Sequence, residues 1–348
     1  MSVNETLAGY SNLLLYSAMA SYTGAFLSFT LDLAGGPARV RQAREAAARV
    51  TAPVKEPVAA GVAGGSGGES IPGLPVTGRR GRGSGDRAGT TSGEPKRTAA
   101  SIAVSLTTLA LLLHLGSVLL RGLSVDRPPW GNMFEFSTAG SAVVTLVFLA
   151  ALRWRDLRYL GTFVIGPVLL TLGLAITVLY TAAAQLAPSL RSYWLAIHVT
   201  VAFISSALFT IAFSATVLYL VQDVRERRRR EGRAVGLSFM EALPSSRELD
   251  QAAYRLHALA FPLWTFTLVA GSIWAENAWG RYWGWDPKEV WTFVIWVVYA
   301  GYLHARATRG WEGRKAARLA LIGYACVLFN FLVVNIVFVG MHSYAGVS

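Results

Sequence analysis

Residues 194–221 read WLAIHVTVAFISSALFTIAFSATVLYLV, and these 28 residues contain no Asp, Glu, Lys or Arg. A helix rises about 1.5 Å per residue and the hydrocarbon core of a bilayer is about 30 Å thick, so the run is long enough to cross one. The basic cluster Arg225 to Arg233 follows directly. Working outward, seven further stretches are almost free of charge inside: 10–32, 99–120, 135–152, 159–181, 256–275, 288–305 and 319–340. The stretch 288–305 is short, so its crossing takes in part of the preceding loop. No basic residue precedes 10–32 and its apolar run is long, which predicts a retained span rather than a cleaved signal. The expected fold is an all-α integral membrane protein with about eight transmembrane helices.

Composition agrees. Of 348 residues, 53% are hydrophobic and 15% charged, whereas soluble domains carry about 25% charged residues. One cysteine, Cys326, excludes an internal disulfide, a CxxC site and a CxxCH haem-attachment motif. There is no GxxxxGK phosphate loop, so the chain is not an ATP-driven transporter subunit working alone. The net charge of +12 invites a nucleic-acid reading, but its distribution argues for topology. With both termini outside, 27 of the 32 basic residues fall on inner segments, leaving Arg121, Arg127, Arg191, Arg281 and Lys288 outside. That is the positive-inside pattern. It leaves contact with anionic lipid open and makes nucleic acid an unexpected partner.

The chain divides into a first transmembrane helix at 1–33, a linker at 34–98 and a membrane domain at 99–348. The linker is rich in Gly, Pro, Ala, Ser and Arg and includes Gly64-Gly65-Ser66-Gly67-Gly68, which reads as a disordered cytoplasmic loop. In a second cytoplasmic stretch, 223–255, Ser245-x-x-Glu248 is a capping-box pattern that predicts a helix from about 246 running into the sixth span.

Between the sixth and seventh spans, expected outside, residues 272–289 read SIWAENAWGRYWGWDPKE. Trp274, Trp279, Trp283, Trp285 and Tyr282 lie within it, and Gly280 and Gly284 allow close backbone approach. One reading is an interfacial aromatic belt. The other is a flat surface for a large planar apolar ligand whose polar edge accepts from indole N–H groups.

The spacing Trp279-Gly-x-x-Trp283-x-Trp285-Asp286-x-x-Glu289 resembles the tryptophan-rich WWD signature of the haem-handling proteins of cytochrome c biogenesis. Tyr302-Leu-His304-Ala-Arg306, Gly310-Trp311-x-Gly-Arg314 and Gly340-Met-His342-Ser-Tyr344-Ala345 resemble its System II branch, CcsA/ResC, called CcsB in actinobacteria. Leu195-Ala-Ile-His198-Val resembles that branch's histidine segment, and Pro128 to Glu135 its first outer loop. The resemblance covers about 99–348, with the Trp-rich loop at 274–289.

Five histidines are present: His114, His198, His257, His304 and His342. The topology sets His198 near the outer end of span five and His342 just past the outer end of span eight, both level with the Trp-rich loop. Two neutral imidazoles give a six-coordinate haem iron; the alternative for each is a hydrogen-bonded packing histidine. The resemblance implies that His198 and His342 are the axial ligands of haem b at the outer face. It also implies a second haem site at His304, near the inner end of span seven, completed by a partner component. His257 is expected at the inner interface and His114 as a helix-packing group, while Cys326 is expected to be a small buried apolar residue.

Haem propionates require cations, so Arg281 is counted with the site and Arg121, Arg127 and Lys288 are further candidates. Asp286, which belongs to the signature, is expected to cap the seventh helix with Pro287 in its first turn. Glu289 and Glu135 are expected to stabilise helix N-termini.

The resemblance implies the haem-presenting subunit of a holocytochrome c synthase, or haem lyase, in a bacterial plasma membrane. It would hold haem b at the extracytoplasmic face for thioether attachment to the CxxCH motif of apocytochrome c, beside a ResB-like partner. No dedicated catalytic acid, base or nucleophile is visible, so the contribution is orientation. A haem exporter or chaperone without attachment activity, and a transporter of some other planar or cationic molecule, remain rival readings.

Overall fold

The computed structural model describes residues 3–51, 98–184 and 192–342. Every regular element among them is helical: α1 (Glu5–Thr51), α2 (Thr98–Val125), α3 (Met133–Ala151), α4 (Gly161–Thr177), α5 (Tyr193–Arg230), α6 (Ser246–Trp279), α7 (Pro287–Thr308) and α8 (Arg314–Val337). Short 3-10 turns precede α4 and α6. The chain divides into two compact units, Met1–Pro37 with Arg97–Ser348, and Ala38–Lys96. The first carries everything described below.

Among the described residues, six helical stretches are long and apolar enough to cross a membrane: α2, α3, Arg158–Thr177 (α4 with its preceding turn), α5, α6 and α8. The protein is therefore a multi-pass membrane protein. The expected spans at 10–32 and 288–305 are both helical, inside α1 and α7, but neither helix is among the six. α1 also continues to Thr51, past residue 34 where the linker was expected to begin. Residues 52–97 of that linker lie outside the described residues.

α1 buries Leu15, Ala18, Tyr22, Ala25 and Phe29, a three-and-four spacing that keeps one stripe against its neighbours. Along that stripe Ser11 Oγ donates to the Ser117 carbonyl of α2 at 2.9 Å, and Tyr22 reaches His114 at 3.3 Å. α5 and α6 form the central pair. α6 buries Leu249, Ala253, His257, Ala260, Trp264, Thr267 and Trp274 along one face. One core cluster joins Phe209, Trp264, Tyr299 and Tyr324; another, at the Trp-loop end, joins Ala139, Leu195, Val199, Phe203 and Trp274.

At the end away from the Trp loop, ion pairs tie the helices together: Arg225–Glu241 at 2.9 Å, Arg306–Asp250 at 2.9 Å and Arg314–Asp223 at 2.6 Å. The Ser245–Glu248 capping box is formed and α6 begins at Ser246, as the spacing predicts. A second capping box, Asp286 with Glu289, starts α7 with Pro287 at its first position. Between these helices the chain turns through two left-handed residues, Gly280 (φ 68°) and Trp285 (φ 59°).

Candidate functional site

His198 sits on α5 and is held by α6. Its Nδ1 lies 2.9 Å from the Thr267 carbonyl oxygen. A carbonyl only accepts, so Nδ1 carries a proton, and in the neutral ring Nε2 keeps its lone pair. One turn along α6, a Cβ on Gly271 would lie 2.8 Å from the imidazole Cε1, so glycine is what lets the ring lie against the helix. A further turn along, Trp274 stacks on the imidazole with ring centroids 6.1 Å apart and planes 12° apart. Thr267, Gly271 and Trp274 are thus consecutive steps of one helix face, all addressed to His198.

His342 lies in the turn after α8. Its Nδ1 is 2.8 Å from Asp286 Oδ2, and Asp286 Oδ1 accepts from the Met341 backbone N–H at 2.6 Å. Burial alone would raise the Asp286 carboxyl, but the hydrogen bond from His342 and the N–H groups of Met341 and Lys288 hold it below the usual carboxylate range. Trp274 and Trp279 pack edge-on against His342, at 5.6 and 5.0 Å between ring centroids. Trp274 therefore touches both imidazoles. Among the described residues neither Nε2 has a hydrogen-bond partner.

Both histidines line one cleft of about 250 Å³. It is mainly apolar and follows α5 from His198 to Thr210, about 18 Å of helix. Trp274 Nε1, Glu289 Oε1 and Asn330 Oδ1 border it, buried without partners among the described residues. Lys288 also lines it, its Nζ held by the Asn330 carbonyl at 3.1 Å and by Asn335 Oδ1 at 3.0 Å. This is a pocket for a largely apolar ligand with a few polar edges and two available nitrogen donors.

The structure divides the expected aromatic cluster. Trp274 is buried and, with Tyr282 and Trp283, lines the cleft. Trp279 backs His342 without lining the cleft, and Trp285 projects outward at 75% exposure. Arg281 does not line the cleft; its guanidinium approaches the Gly284 carbonyl, at 3.4 Å. Asp286 likewise does not line the cleft and meets it through hydrogen bonds to His342, Lys288 and Glu289. His304 is exposed on α7, 18 residues beyond Asp286 and so about 27 Å along the helix.

Several expectations are corrected. Arg121 and Arg127 are not free for a ligand: both close on Glu135, at 3.1 and 2.7 Å, and Glu135 is fully buried. Glu135 is therefore an ion-pair centre, and Asn132 caps α3. His257 is not interfacial but 1% exposed, enclosed by Phe209, Tyr299 and Tyr302. Cys326 is half-buried. Arg191, Tyr344 and Ala345 lie outside the described residues. The sequence reading missed Thr267, Gly271 and the Asp286 contact; the stripe 253, 257, 260, 264, 267, 271, 274 would have found the first two.

Residues 106–342 match the family model described as Cytochrome C assembly protein. The chain is 31% identical over 299 residues to the cytochrome c biogenesis protein CcsA of Synechococcus sp. (strain JA-2-3B'a(2-13)), covering 71% of this chain and 84% of that one. It is 34% identical over 262 residues to the protein of that name from Prochlorococcus marinus (strain MIT 9301), covering 70% and 85%. It is 35% identical over 234 residues to that of Guillardia theta, covering 62% and 76%.

Proposed function

Because the chain belongs to the cytochrome c assembly family, we propose that it holds haem b between His198 and His342 and presents it for attachment to apocytochrome c. One observation carries the reading: two imidazoles, each tied at Nδ1, leave their Nε2 atoms to one cleft. A metal bound by two imidazoles takes its remaining donors from elsewhere, and a porphyrin brings four.

Haem supplies two vinyl groups, each of which takes one cysteine thiol of CxxCH across its double bond as a thioether. The chain's own residues orient and enclose. His198 and His342 would hold the iron. Trp274 keeps the two imidazoles in register, and the apolar walls exclude water. Lys288 presents a cation to a propionate, and Tyr282, Trp283 and Trp285 offer aromatic faces at the rim. None of these is an acid or base for thioether formation, so positioning is the contribution.

The same reading has eight crossings, with α1 and α7 included and both termini and the Trp loop on the extracytoplasmic face of a bacterial plasma membrane. The positive-inside distribution supports it. A ResB-like partner completes the complex and supplies the second ligand for a site at His304.

The test is a visible spectrum of the detergent-purified protein, co-expressed with its partner, beside His198→Ala and His342→Ala. A sharp six-coordinate band in the wild type, lost in each variant and restored by imidazole, is expected. A colourless wild type with ample haem would overturn the reading and favour a non-haem transporter. A haem-loaded protein that leaves apocytochrome unmodified in the presence of its partner would favour an exporter or chaperone.

A further inference from the structure

The two imidazoles of the cleft are anchored differently. His198 belongs to a helix, and Thr267, Gly271 and Trp274 confine its ring from three successive turns of α6. His342 stands in a turn beyond α8, with Trp274 and Trp279 of α6 edge-on to its ring. Its only hydrogen bond among the described residues is to Asp286.

Asp286 is itself tightly placed. Its backbone N–H donates to Glu289 Oε2 at 3.0 Å, and the same oxygen accepts from the Gly284 N–H at 2.8 Å. Its carboxylate receives three donors on two oxygens: Met341 N–H on Oδ1, and His342 Nδ1–H and Lys288 N–H on Oδ2. Gly340 lets the tail approach this closely, since a Cβ there would collide with Asp286 Oδ1.

From this we propose that Asp286 is a positioning residue: it fixes His342 as the Nδ1–H tautomer and turns its Nε2 lone pair into the cleft. The inference rests on the haem reading above and deepens it. A carboxylate accepts only, so the imidazole nitrogen facing it must donate, and in the neutral ring the far nitrogen is then bare. One side chain thereby joins the Trp-rich loop, the start of α7 and the tail after α8, and the loop and the ligand are set together.

Asp286→Asn isolates this role. Asn caps a helix about as well as Asp, but its amide has one oxygen and one NH2 for three N–H donors. With the NH2 toward His342, Nδ1 must accept, the proton moves to Nε2 and the ring cannot ligate. Asp286→Ser also caps α7 and is too short to reach His342. Both variants are expected to hold haem about 10- to 100-fold less well, the range for loss of such an outer partner, with the six-coordinate band restored by imidazole. Haem that remains is expected at a higher midpoint potential, because a carboxylate-bound imidazole is the stronger donor and favours ferric iron. In a His342→Ala background supplied with imidazole, Asp286→Asn should add little, since its effect passes through the missing ring.

Wild-type band and potential in both variants, or a full additive loss in the His342→Ala background, would overturn the proposal. A wild type with no haem band would instead count against the haem site itself. The tautomer is then read on the protein without haem, by nitrogen NMR of histidine-labelled samples. The His342 signal, identified by its absence in His342→Ala, should report Nδ1–H in the wild type and shift in Asp286→Asn. A wild-type signal reporting Nε2–H would overturn the proposal.

Discussion

Gly271 lies directly beneath His198, close enough that a single methyl on its Cα would sit 2.8 Å from the imidazole Cε1 and 2.9 Å from Nδ1. The hydrogen bond to Thr267 depends on that contact being empty. Gly271→Ala should therefore push the ring off the Thr267 carbonyl and cost about 1–3 kcal/mol as an overpacked contact. A lowered unfolding midpoint together with imidazole-rescuable haem loss is the expected pair of results. A variant that keeps both wild-type values would show that α5 and α6 separate freely at this level.

Glu135 receives two buried guanidinium groups, Arg121 and Arg127, and the Gly131 N–H as well. Removing one member of a buried ion pair leaves a charge uncompensated and costs about 3–5 kcal/mol. Glu135→Gln is expected to lower the denaturant or thermal midpoint by a corresponding amount, whether or not haem is bound. Equal midpoints would mean that water reaches the arginines.

His257 makes the opposite case. Both its ring nitrogens are buried without a partner among the described residues, and an orphaned buried polar group costs about 1–3 kcal/mol. His257→Leu should leave the unfolding midpoint unchanged or raise it, and cells carrying it should still mature cytochrome c. A folded variant that fails in that assay would give His257 a role of its own.

Trp285 holds a left-handed backbone at φ 59° while exposing most of its ring. Such a conformation costs a non-glycine residue about 1–3 kcal/mol, and glycine adopts it freely. Trp285→Gly is expected to keep the protein's stability and lose haem loading, and Trp285→Ala to lose loading while remaining strained. If the glycine variant loads haem normally, the backbone turn and not the indole is what matters there.

Lys288 faces the cleft without ligating anything in it. Lys288→Met should weaken haem retention while leaving the shape of the six-coordinate band unchanged, a pattern distinct from that of either histidine variant. Retention equal to wild type would remove Lys288 from the site.

Much of this was legible in the sequence because it is local. Runs of apolar residues give helices, and Ser245 and Glu248 sit three apart as a capping box requires, whereas the loop expected at 274–289 is shorter, because Trp274 and Trp279 stand inside α6 and α7 begins at Pro287. The topology set His198 and His342 at one level and the resemblance implied their pairing; both line one cleft. What the sequence hid is tertiary. Arg121 and Arg127 look like free outer cations until α2 and α3 fold against each other and bring both onto Glu135. Asp286 looks like a cap, and it is one. Its further contacts, to Met341 and His342, lie 55 and 56 residues away along the chain, beyond the reach of any periodicity. His257 was misplaced because its height was read from the chain while its facing, on the stripe shared with Trp264 and Trp274, was not.

His342 follows α8, whereas its counterpart His198 stands on α5 and its anchor Asp286 precedes α7. A nascent chain delivers these to the membrane one after another. Until α8 has been inserted and its tail has folded back on Asp286, the cleft possesses one nitrogen donor of the two. On the proposed reading, a chain stalled during biosynthesis cannot grip haem in the mature way. Tight capture of the cofactor then doubles as a proofreading signal that α8 has been inserted.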